Sequence, residues 1–89
     1  NLKDSIADYR RGFIDACKKA LMKDSPILKI IIFKSKSHMP SIPGTIKAFT
    51  QALNISSEKI IGYKYISLGL IIAINRQDVK VNINENSRN

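Results

Sequence analysis

Apolar residues recur at spacings of three and four through the start of the chain: Leu2, Ile6, Tyr9, Phe13, Cys17, Ala20 and Leu21, with charged residues on the opposite side. This period predicts an amphipathic helix over residues 2–23. Gly12 costs about 1 kcal/mol relative to alanine but does not interrupt the stripe. Asp4 and Asp8 near the start, and Lys18, Lys19 and Lys23 near the end, complement the helix dipole. Asp24-Ser25-Pro26 stops the helix, because Pro26 disfavours helical geometry at Ser25.

The apolar run Ile27 to Lys34 has two readings. Its isoleucines favour a strand, while Ile27, Ile30, Ile31 and Lys34 also fit a short buried helix, and periodicity alone does not separate them. Ser35 to Gly44 reads as a loop from its serine, proline and glycine content. Thr45 to Leu53 reads as a helix with Ile46, Phe49, Ala52 and Leu53 on one face and Ser41 or Pro43 near its start. Asn54-Ile55-Ser56 is a turn, since asparagine tolerates the left-handed conformation that ends a helix. Ser56 or Ser57 then caps a helix reaching Leu68, with Ile61, Tyr65 and Leu68 turned inward. The competing reading makes Lys59 to Ile66 a strand. Beyond Gly69, Leu70–Asn75 and Val79–Asn84 read as a hairpin joined by Arg76-Gln77-Asp78, and residues 85–89 as a flexible polar tail.

Eighty-nine residues allow one compact domain. No apolar run approaches the roughly 20 residues of a membrane-spanning helix, and no apolar leader is visible at the start. One cysteine cannot form an intramolecular disulfide, and with one histidine it cannot build a cysteine/histidine zinc site. These features point to a cytoplasmic protein without membrane, metal or cofactor. The formal charge is +8, with 15 basic against 7 acidic residues. Near the N-terminus many charges pair at helical spacing, but from Ser25 to Ser57 there is no acid while Lys29, Lys34, Lys36 and Lys47 are present. An unneutralised positive field of this kind attracts polyanions, nucleic acid first among them.

Residues 49–71 carry a recognisable grammar: Ala52-Leu53 closing a helix, Asn54 as the turn, Ile55-Ser56 opening a second helix, and Gly69-Leu70-Ile71 leading into a hairpin. In this the chain resembles winged helix-turn-helix DNA-binding proteins such as the ArsR, MarR and PadR regulators. The likeness spans about residues 26–84, with residues 26–34 as the preceding helix. It implies a mainly α fold with a β-hairpin wing over residues 25–84, and the helix of residues 1–24 added in front. It also implies sequence-directed binding of double-stranded DNA, in transcriptional regulation or in plasmid or virus partition, and nucleoid association. Ser57, Lys59, Tyr63 and Lys64 would face the major groove. Arg76 and Lys80 on the hairpin would reach phosphate or the minor groove, and Lys34, Lys36, His38 and Lys47 would touch the flanking backbone, helped by the helix N-terminal amides near Thr45. The additional N-terminal helix would form a homodimer matched to palindromic half-sites.

Two other readings compete. In the first, the protein is an α/β RNA-binding or ribosome-associated module, with strands at Ile27–Lys34 and Lys59–Ile66 flanking the helix at 45–53. In the second, a basic surface meets an acidic protein partner. His38 reads as a loop residue and Cys17 as packing. No paired carboxylates, nucleophile elbow, phosphate loop or metal-ligand spacing is present, so catalysis is not expected, and no small-molecule pocket is identifiable.

Overall fold

The computed structural model describes the backbone of residues 2–34 and 41–87 and the side-chain surroundings of residues 10–34 and 41–83. Within these lie three helices and a three-stranded antiparallel sheet, in the order α1 (Leu2–Leu21), β1 (Ile27–Phe33), α2 (Ile42–Leu53), β2 (Ile60–Ile66), β3 (Gly69–Asn75) and α3 (Arg76–Ser87). A single 3-10 turn, Ser57–Lys59, leads into β2. Among the described residues no helix is long and apolar enough to cross a membrane.

The two helices read most directly from periodicity are present. α1 ends at Leu21, two residues earlier than expected, and buries Phe13 and Cys17. α2 begins at Ile42, capped by Ser41, whose hydroxyl accepts the Gly44 N–H at 3.2 Å, with Pro43 in the first turn. It ends at Asn54 in the left-handed conformation, with φ 53°. Phe49 and Leu53 are fully buried, and the Phe49 ring meets Phe13 of α1 edge-on, at 5.5 Å between centroids and 87° between planes.

Between and after these helices the open choices between helix and strand are decided, and the expected hairpin is corrected. Residues 27–33 form a strand, the choice favoured by β-branched side chains with stiff χ1 angles. Residues 60–66 also form a strand, so no helix follows the Asn54 turn in the place of a recognition helix. Gly62, costly in a helix, sits instead beside an irregularity in the β2–β3 ladder between Ile60 and Gly62. Ile61, Tyr65 and Leu68, expected inside, are 54%, 44% and 55% exposed. Finally, the hairpin is β2–β3, turning at Ser67-Leu68, and residues 76–87 are helical, so Val79–Asn84 is not its second strand. The described part of the expected tail, through Ser87, belongs to α3.

The strand order is β1-β3-β2, with β3 antiparallel to both neighbours. β1 and β2 therefore run parallel, joined through α2, with β3 inserted between them: a split βαβ unit. Leu28 and Ile30 on β1 and Leu70, Ile72 and Ile74 on β3 point to one side, where they pack with Phe13, Cys17, Phe49, Leu53, Ile55, Val79 and Ile83. Side chains alternate across a strand, so all three helices cover one face and leave the other open. At the start of β3, Gly69 leaves no room for a Cβ, which would collide with the Ile32 carbonyl oxygen.

Candidate nucleic-acid interface

Residues paired across strands share a face, so the register maps the open side of the sheet. Lys29 on β1, Ala73 on β3 and Gly62 on β2 form one row; Ile31, Ile71 and Lys64 form the next; Phe33, Gly69 and Ile66 form the third. Lys29 and Lys64 thus stand on the two outer strands, about 12 Å apart from strand spacing and rise. Between them lies an apolar floor that ends in Phe33, which is 61% exposed. The three strands contain no aspartate or glutamate. Two mobile cations flanking an apolar, partly aromatic surface match the needs of a chain of phosphates and bases: charge for the former, stacking area for the latter.

The residues expected from sequence to contact DNA do not fall on one surface. Lys64 is on the open face, whereas Tyr63, paired with Ile72, projects to the helical side and remains half exposed. Lys34 is exposed just past the end of β1, and Lys47 is exposed on α2. Lys36 and His38 lie outside the described residues. Ser57 is exposed in the 3-10 turn. Lys59 is also exposed, with its Nζ 4.0 Å from a carboxylate oxygen of Asp78. Lys80 is exposed on α3, the helix that contributes Val79 and Ile83 to the core.

Two further members of the set have internal partners. Thr45 is buried, and its hydroxyl donates to the Ser41 carbonyl at 2.8 Å. Arg76 is not at a hairpin tip: its guanidinium donates to the carbonyls of Leu21 at 2.8 Å, Lys23 at 2.7 Å and Ser25 at 3.4 Å, holding the end of α1 against the start of α3. Lys29 and Phe33, in turn, escape sequence reasoning as site residues. The available signal was their odd-numbered spacing in an apolar run, which places them opposite Leu28 and Ile30 once that run is a strand.

Cys17 is fully buried in the core, and loss of solvation pushes its thiol up to about 12. It is therefore a packing group and not a nucleophile at neutral pH. No protein-family model, curated protein or solved structure matches this chain, so its own residues carry the functional reading.

Proposed function

We propose that this protein binds nucleic acid across the open face of its sheet, with single-stranded RNA as the favoured class of ligand. One observation carries the reading: an acid-free sheet face that sets Lys29 and Lys64 on its outer strands beside Ile31, Ile71, Ala73 and Phe33. The lysines on the outer strands neutralise successive phosphates, while bases lie over the aliphatic floor and the Phe33 ring. Extended strands at residues 27–33 and 60–66 flanking α2 are the elements of the α/β RNA-binding reading.

A second reading is a winged helix-turn-helix domain acting on duplex DNA, in transcription or partition. It is favoured by α2 with its left-handed Asn54 turn and by the β2–β3 hairpin, which presents Tyr63 and Lys64 as a wing.

Fluorescence anisotropy with a short single-stranded RNA and a duplex DNA, each across a salt series, separates the two. The expected result is tighter binding of RNA, weakened about tenfold by Lys64→Glu and much less by Lys80→Glu on the helical side. Preference for the duplex, with loss on Tyr63→Ala, would transfer support to the winged reading. Absence of binding to either at low salt would defeat both.

A further inference from the structure

β1 lies at the edge of the sheet, and two hydrogen bonds fix which of its residues bond inward. The Arg76 N–H donates to the Pro26 carbonyl at 2.8 Å, and the Lys34 N–H donates to the Leu68 carbonyl at 2.9 Å. In an antiparallel ladder each residue turns its N–H and C=O to the same side, and the side alternates along the strand. Even-numbered residues of β1 therefore bond to β3. Ile27, Lys29, Ile31 and Phe33 aim their main-chain groups outward, where Ser25 donates its hydroxyl to the Ile27 carbonyl at 2.8 Å. No strand among the described residues pairs with this edge.

Alongside it runs a groove of about 980 Å³, walled by β1 and α1. The helical wall carries the small residues Gly12, Ala16 and Ala20 at i, i+4 spacing and, beside them, the charged pair Asp15 and Lys19, with Lys23 lining the groove just past the helix end. A bare strand edge is a template for another strand.

We infer that this edge is the seam of a symmetric homodimer, in which β1 pairs antiparallel with β1 of a second copy. The occupant is identified by self-complementarity. With the two-fold axis at Ile30, Ile27 faces Phe33 of the second copy and Lys29 faces Ile31. All four outward residues are then paired, through about eight main-chain hydrogen bonds. The two large apolar residues left exposed on β1, Ile27 at 45% and Phe33 at 61%, become neighbours. Centring the pair on Lys29 sets like charges opposite each other, and centring it on Ile31 leaves Ile27 without a partner.

The same axis, perpendicular to the sheet, brings the two α1 helices together antiparallel on the helical side. Gly12, Ala16 and Ala20 permit close approach, and Asp15 of one copy meets Lys19 of the other, with Lys23 beyond the helix end nearby. The homodimer expected of the N-terminal helix thus acquires a definite seam: the outer wall of α1 together with the edge of β1. The inner face of α1, at Phe13 and Cys17, stays in its own core. Each copy carries a charge of +8, so the dimer tightens as salt screens the repulsion.

Sedimentation velocity on the whole protein tests this inference independently of nucleic acid. Wild type is expected to dimerise in the micromolar range, more tightly at higher salt. Gly12→Arg is expected to weaken dimerisation at least about tenfold with helix content kept, because a Cβ there meets nothing within 4 Å and arginine favours the helix more than glycine. Ile31→Pro removes an outward N–H only, a substitution edge strands tolerate, and is expected to act in the same direction. Should Ile31→Pro fail to fold, Gly12→Arg decides alone. A wild-type monomer at about 100 µM, or a dimer that folded variants leave intact, overturns the inference.

Discussion

Arg76 replaces water at the carbonyl oxygens of Leu21, Lys23 and Ser25, beyond the last intrahelical bonds of α1; of these the Lys23 carbonyl also accepts the Ser25 N–H at 3.0 Å. Charge-assisted bonds of this kind contribute more than neutral ones, so Arg76→Ala is expected to lower stability by about 2 kcal/mol, read as a shift in the urea midpoint. Arg76→Lys should recover only part of that, since a single ammonium cannot span the same three oxygens. Cys17 makes a separate prediction. Its thiol is held above its ordinary 9.0, at about 12, because burial penalises the thiolate. Between those values the unfolded chain binds fewer protons than the folded one, so stability falls as pH rises. Below about pH 8 the group contributes no pH dependence. The difference between wild type and Cys17→Ala in urea unfolding should therefore be flat from pH 6 to 8 and shrink from pH 9 upward. A thiol reagent at pH 8 should label wild type only at the rate of unfolding.

At the scale of elements, legibility followed how many independent signals agreed. α1 and α2 had periodicity and end signals together, and both were readable. α2 rests on its caps, so Ser41→Ala is expected to cost about 1 kcal/mol and Ser41→Asp to restore most of it, by thermal unfolding. For β1 and β2 the sequence left helix and strand open, and pairing with β3 decides between them. α3 departs from the hairpin expectation for a physical reason. Val79, Val81 and Ile83 alternate as in a strand, yet i and i+4 share a face in a helix as well. Val79 and Ile83 are buried while Val81 is 52% exposed, so Val81 made the pattern look like a strand without belonging to the apolar face. The site suffered from the same gap. Which lysines share a surface depends on register, so the sequence points to Lys64 but not to Lys29 or Phe33, and suggests outward roles for Thr45 and Arg76 although their polar groups bond inward.

Across the whole molecule, the two proposals meet in one geometry. A two-fold axis perpendicular to the sheet keeps both open faces on the same side, so pairing β1 with its copy makes a six-stranded surface. Lys29 of each copy then stands near the middle, and Lys64 of each at the rims. A single strand long enough to cross the seam would release counterions at twice as many lysines as one bound to a monomer. For single-stranded nucleic acid, log K falls with log salt by about 0.7 per phosphate neutralised, which gives slopes near −1.4 for one copy and near −2.8 for two. Measured by anisotropy, wild type with a long RNA should therefore show about twice the slope of Gly12→Arg. A short RNA confined to one copy should show equal slopes for the two proteins. Equal slopes at both lengths, with wild type dimeric by sedimentation, would mean that the joined faces do not act as one surface. The dimer would then be independent of ligand binding, and the proposed RNA-binding face would be a property of the single chain.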